Sequence, residues 1–291
     1  MLSVNEERKM NNIKQIEVIY DNRLVGRLAL TKEGLCAFEY AAEWLGSGFS
    51  ISPFELPLKS GVFIAKPRPF EGGFGVFDDC LPDGWGLLIL DRYLQQKNIN
   101  PRTLTLLDRL ALVGSTGRGA LEFRPDHSVV TRQDYVDFEK LALEAEQILD
   151  SDDYTGEGIE EFQDRGGSPG GARPKIFIRY DNKEWLVKFR AKRDPHNIGI
   201  DEYRYSLLAK QCGIEMPETR LFEDKYFGVE RFDRTSNGKL HVVSMAGLIG
   251  ADYRLPSIDY THIFQVCAML THSVAELWKV YRLMVFNYLI G

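Results

Sequence analysis

Cysteine is scarce. There are four in 291 residues, Cys36, Cys80, Cys212 and Cys267, and no two form a CxxC pair. That spacing excludes a disulfide framework and a zinc ribbon, and it reads as reduced thiols of a cytoplasmic protein. Long apolar runs are missing too. The densest stretch, Val280 to Ile290, is broken by Arg282 and Asn287, so no membrane span is expected. The opening MLSVNEERKMNN lacks an apolar h-region, so no signal peptide is expected. Positive charge is not in excess. The formal net charge of −6 disfavours a general nucleic-acid-binding surface, while leaving a local basic patch open. Internal repeats and low-complexity segments are absent. What is present suits a globular chain: 44% hydrophobic and 27% charged residues, enough for a full core and about two domains.

Residues 1–12 read as a loose tail, and residues 13–128 as an α+β module of short strands and two helices. IEVIYDNRLVGRLAL reads as a hairpin turning at Asp21–Asn22. GVFIAK reads as a strand, LPDGWGLLILDRYLQQ as a turn opening a helix, TLLDRLALVG as a helix and GRGALEF as a strand. The stretch 129–159 is expected to connect. Within it, 131–149 has the spacing of an amphipathic helix, with Thr131 as N-cap and Tyr135, Phe138, Leu141, Ala142, Ala145 and Ile148 along its core face. SDDYTGEG then breaks the pattern. Residues 160–240 read as strand-rich with one helix, and 241–291 as helical and very apolar.

Residues 166–234 carry the chemistry. GGSPGGARPK is a glycine-rich loop, IFIRYDNKEWLVKF a hairpin, DEYRYSLLAKQCG a helix, and KYFGVERFDR a strand running into a polar bend. Phosphate binding suits that order, because glycines let backbone N–H groups approach oxygen anions and a fixed ammonium neutralises them. Taken alone the loop reads as a glycine turn, being neither a Walker A loop nor the GxGxxG of eukaryotic kinases. Lys188, in WLVKF, is costly to bury unless paired. An edge-strand lysine facing solvent would also fit. Glu202, 14 residues on and on one helix face with Ser206 and Ala209, favours instead a Lys–Glu pair of the kind kinases use. VERFDR alone reads as a solvated strand end. In this company it also fits a hinge whose backbone groups bond adenine.

These elements together resemble the HipA family of bacterial toxin kinases. SPGGARPK, the lysine of VKF, and VERFDR are similar to that family's ATP-binding elements in order and spacing, and LPDGWG and VGSTGRGALEF to its amino-terminal region. The resemblance runs from Ile13 to Gly291. It implies a two-lobed kinase-like α+β fold that transfers the ATP γ-phosphate to a serine of a protein, aminoacyl-tRNA synthetases being known substrate types. It implies a small helix-turn-helix antitoxin as partner, with DNA reached only through that partner. By position, Ser168 corresponds to the loop serine that the family autophosphorylates. Gly170, Gly171, Ala172, Arg173, Pro174 and Lys175 correspond to the phosphate loop, Lys188 to the ATP lysine, and Glu230, Arg231 and Phe232 to the hinge.

The chain departs from the family pattern at FNYLIG, where the family continues into a catalytic loop of the type Asn-x-Asp-Asp-His-x-x-Asn and a later metal-binding Asp. No HRD or DFG substitutes for them. The catalytic base and the Mg²⁺ ligands are therefore expected beyond Gly291. The 291 residues are expected to be a fragment that transfers no phosphate alone, the alternative being a naturally shortened inactive relative. Two other readings are a non-catalytic nucleotide-binding or antitoxin-binding protein, and a sheet-rich protein without a nucleotide site.

Overall fold

The computed structural model describes residues 13–128, 136–151, 154, 156, 158–166 and 171–291. Two antiparallel sheets organise it. The first runs in the order β4-β3-β2-β1-β5, built from β1 (Gln15–Tyr20), β2 (Arg23–Leu30), β3 (Cys36–Tyr40), β4 (Val62–Ile64) and β5 (Leu121–Arg124). The β1–β2 turn sits at Asp21–Asn22, with φ of 47° and 59°. Both values lie in the left-handed region that short polar side chains tolerate, as a two-residue hairpin turn of right-handed twist requires. Alternation places Ile16, Val18, Leu28, Phe38 and Phe123 on the buried face. Against that face pack α2 (Gly75–Asp78) and α4 (Leu106–Val113). A reciprocal Thr105–Asp108 capping box starts α4. Two short helices, α1 (Ala42–Ser47) and α2, add to the two that the sequence pattern predicts. With one turn or little more each, they are too short to show a helical period. Aromatic packing fixes α1 instead, through the buried Trp44.

The second sheet runs β6-β7-β9-β8, from β6 (Lys175–Tyr180), β7 (Lys183–Lys188), β8 (Thr219–Phe222) and β9 (Tyr226–Glu230). Its two hairpins repeat the turn chemistry, at Asp181–Asn182 and Glu223–Asp224, all with positive φ. Helices α5 (Phe138–Asp150) and α6 (Gly158–Gly166) share a core with it, and α7 (Ile198–Gln211) crosses it. Two expectations change here. The helix of the connecting region starts at Phe138, because Asp137 is its N-cap and accepts from the Lys140 N–H at 2.9 Å. Thr131 and Tyr135 lie outside the described residues. Residues 158–166 are a second helix in a region read as having one. Only Ile159 and Phe162 of that charged segment are fully buried apolar groups, so its period is faint.

Helix α3 (Gly84–Gln96) belongs to the first module by sequence yet packs into the second core. Trp85, 2% exposed, meets Phe162 edge-on at 5.0 Å, and Ile89 lies beside them. Past the second sheet come the small β10–β11 ribbon (Arg234–Thr235 and Gly238–Lys239) and helices α8 (Met245–Ile249), α9 (Tyr260–Thr271) and α10 (Val274–Ile290). The α9–α10 pair is apolar and exposed; no α10 residue is buried. No described helix is long and apolar enough to cross a membrane.

Beyond α3, two further contacts join the modules. At the first, α8 lies against α2 so closely that a Cβ on Gly75 would fall 2.2 Å from the Gly247 carbonyl oxygen. Beside this contact, the Asp79 carboxylate accepts from the Ser244 N–H at 2.6 Å and from its hydroxyl at 2.7 Å. The second place is an ion cluster around Asp233. That carboxylate accepts from Arg231 at 2.8 Å, from Arg234 at 3.0 Å and from the Gly119 N–H at 2.8 Å. Both guanidinium groups also reach the Gly117 carbonyl, at 3.3 and 2.8 Å. Burial pushes the Asp233 carboxyl up, but the hydrogen bonds and charge of Arg231, with Arg234 and Gly119, hold it below the ordinary 3.8.

Removing one member of such a buried cluster strands opposite charge in low dielectric. Asp233→Ala is expected to lose about 3–5 kcal/mol of unfolding free energy in urea at pH 7. A carboxyl with a lowered pKa stabilises above its ordinary value and ceases to do so as pH falls through the lowered one. The gap to wild type should therefore close in acid. A loss below about 1 kcal/mol, the size of a surface ion pair, would contradict this reading.

Candidate functional site

Antiparallel pairing of β6 with β7 sets Lys175 directly opposite Lys188. Directly paired residues on antiparallel strands project to the same face, so two cations share one patch of sheet. On β7, Trp185 and Val187 fill the core, while Leu186 and Lys188 alternate to the other face and are half-buried. The strand is central, not an edge.

The counter-charge comes from α7. Lys188 Nζ donates to Glu202 Oε2 at 2.8 Å. Glu202 Oε1 accepts from Arg173 at 2.9 Å, and Arg173 donates to Asp194 at 3.0 Å. The approach depends on small residues along the helix. Ser206 and Ala209 are buried, and the Ser206 hydroxyl bonds the Thr219 hydroxyl of β8 at 2.9 Å. A Cβ on Gly199, in the first turn, would fall 2.3 Å from the Lys225 carbonyl oxygen. The Lys188 ammonium also lies 5.3 Å from the centroid of the Phe227 ring.

Lys175 is more deeply placed, at 4% exposure, and donates to the Gly171 carbonyl at 3.0 Å. Burial, followed by the neighbouring Lys188 charge, lowers its pKa to about 8. Gly171 has φ of +95°, which only glycine adopts freely. Pro174 pins the other end of the loop, its carbonyl accepting from the Phe189 N–H at 2.8 Å. Ala172 is exposed. Ser168 and Gly170 lie outside the described residues. The loop, the two lysines and Glu202 thus come together, and Arg173 joins them through a bond that the sequence pattern did not reveal.

The segment 230–232 is divided. The Glu230 N–H donates to the Glu218 carbonyl and the Arg231 N–H to the Glu184 carbonyl, both at 2.8 Å. The Glu230 carboxylate takes Lys183 at 2.8 Å. Arg231 is 7% exposed, sits in the Asp233 cluster, and stacks its guanidinium 4.1 Å over Phe177. The Arg231 side chain therefore serves the module junction, and the reading of VERFDR as a solvated strand end is overturned for Arg231 and Asp233. Phe232 is 60% exposed. With Met216, Pro217 and Glu230 it lines an open groove of about 500 Å³. Met216 and Pro217 carry no signal in the sequence, since they reach this place only through the β8–β9 pairing.

Chemically, Lys188 and Arg173 share the Glu202 carboxylate, Arg173 also pairs with Asp194, and Lys175 lies on the same sheet face as Lys188. Such a patch attracts a polyanion. Among the described residues no group of three or more His, Cys, Asp or Glu could hold a metal ion.

The low Lys175 value carries a sign. Between about 8 and the ordinary 10.5 the unfolded chain holds more protons than the folded one, so stability rises with pH across that window. Below it the burial penalty is fully present. Unfolding free energies of wild type and Lys175→Met, measured at pH 7.5 and 10, should show wild type gaining on the variant at the higher pH. An equal response in both proteins would contradict the burial of a charged lysine.

Known protein domains account for most of the chain. Residues 16–124 match the HipA N-terminal domain and residues 167–291 the HipA-like C-terminal domain. The first match spans the five-stranded sheet and α3. The second spans the phosphate-type loop, the paired lysines and everything after them. Both halves occur in order, so the chain belongs to the HipA family, generally toxin kinases of toxin–antitoxin modules.

Proposed function

We propose that the chain binds ATP, with its phosphates between the Gly171–Lys175 loop and Lys188, and serves a kinase that phosphorylates a serine of a protein target. The observation that carries this is the ion pair of Lys188 with Glu202 at 2.8 Å, next to a second lysine on the same sheet face. An ammonium fixed by a carboxylate is a phosphate ligand already in position, and positioning with charge neutralisation makes up nearly all the catalysis in phosphoryl transfer.

Each described residue has a part. Lys188 neutralises phosphate oxygens, and Glu202 keeps it from turning to solvent. Lys175 adds a second donor, and an arriving anion favours its charged form. Arg173 holds the loop to α7 through Glu202 and to Asp194. At the hinge the N–H groups of Glu230 and Arg231 are committed to the sheet, so purine recognition falls to the rest of the segment and to the Phe232 face of the groove. ATP supplies the transferable phosphoryl group. Among the described residues no group of three or more His, Cys, Asp or Glu could hold Mg²⁺.

The finer parts of the proposal follow from family membership. They are autophosphorylation at Ser168, which would add close to two negative charges to the loop, and a helix-turn-helix antitoxin that carries any contact with DNA. The protein target, aminoacyl-tRNA synthetases being the type the family offers, and action in the cytoplasm belong with them.

Calorimetric titration with ATP tests the site. Lys188→Ala is expected to weaken binding about tenfold or more, the worth of a charge-assisted hydrogen bond. Lys188→Ala binding as tightly as wild type would remove Lys188 from the site.

A further inference from the structure

The LPDGWG turn sits far from the glycine-rich loop in sequence and has no part in the site described above. In the structure it grips that loop. The Asp83 carboxylate accepts from the Gly171 N–H. The Trp85 N–H donates to the Gly171 carbonyl at 3.1 Å, and Lys175 donates to the same oxygen at 3.0 Å. Gly171 is thus held at both its N–H and its carbonyl, the N–H by a residue 88 positions away.

Two details set this apart from incidental contact. Asp83 is the N-cap of α3, where an aspartate ordinarily accepts from its own helix. Here it makes no side-chain cap bond, and Gly171 takes the carboxylate oxygen instead. Gly84 has φ of +45°, and a Cβ there would fall 2.7 Å from the Gly171 carbonyl carbon and oxygen. The two backbones approach as closely as glycine permits. The anchor itself is firm, because Trp85 is locked in the second core against Phe162.

We infer that Asp83 is a positioning residue for the phosphate loop: through Gly171 it holds the loop, and with it the Lys175 ammonium, in place for a nucleotide's phosphates. The amino-terminal module thereby governs phosphate affinity without touching the nucleotide. This rests on the reading of the Gly171–Lys175 loop as the phosphate site.

The test compares ATP and adenosine binding by ligand-observed NMR for wild type, Asp83→Ala, Asp83→Asn and Lys188→Ala. Asparagine keeps an acceptor oxygen for the Gly171 N–H; alanine does not. Asp83→Ala is expected to lose about tenfold in ATP affinity with adenosine affinity unchanged, and Asp83→Asn to recover most of the loss. A general loss of structure would weaken both ligands and lower the melting temperature. Gly84→Ala, which displaces Gly171 without removing a charge, should reproduce the ATP-selective loss. If wild type binds ATP in a Lys188-dependent way and Asp83→Ala binds it equally well, the inference is overturned while the proposed function stands. If wild type binds no ATP, both fall together.

Discussion

Two ammonium groups placed side by side on neighbouring strands are the constraint on which this structure turns. The β6–β7 register sets Lys175 against Lys188, and like charges directly opposite cost stability. The fold answers with the Glu202 carboxylate, which pairs with Lys188 and with Arg173, and with Asp83, whose charge also favours the Lys175 ammonium. Lys175 shows the cost: burial first, and then the Lys188 charge, lower its pKa to about 8. A fold seeking only stability would place an apolar residue there. Two lysines kept on one face form a cationic patch that attracts an anion such as a phosphate.

The supporting structure follows from that need. Glu202 can reach Lys188 only because α7 lies close to the sheet, and the buried Ser206 and Ala209 allow it. The loop is fixed at Pro174 by β7 and at Gly171 by the start of α3. After β9, Arg231 and Arg234 converge on Asp233 and on the Gly117 and Gly119 backbone. The amino-terminal module therefore touches the second module at Gly171 and at the 231–234 segment, besides the α2–α8 contact. Through these contacts it helps to fix the 171–175 loop and the 231–234 segment.

How much of this could be read from sequence depends on range. The Asp21–Asn22 and Asp181–Asn182 turns declare themselves, since the residues that tolerate positive φ sit between alternating strands. The Lys188–Glu202 pair was within reach because strand alternation and helix spacing give each residue a direction. Local pattern offers Thr131 as a cap, whereas Asp137 caps the helix that begins where Phe138 enters the core. The helix at 158–166 leaves little trace in the sequence because its buried apolar face is only Ile159 and Phe162. Arg231 looked like a hinge residue or a solvated charge, and its burial depends on Asp233 and on a carbonyl 114 residues away. Asp83 and Gly171 are likewise joined only by tertiary contact. HipA-family membership was legible from the motifs and their order; the division of labour among the charges was not.

The central claim is that the two opposed lysines await a phosphate. A crystal structure of the protein with a non-hydrolysable ATP analogue addresses it directly. The account predicts one phosphate group within about 3.2 Å of both the Lys175 and Lys188 ammonium nitrogens, with Glu202 still paired to Lys188. An analogue bound with its phosphates elsewhere, the lysines keeping only their present partners, would contradict it.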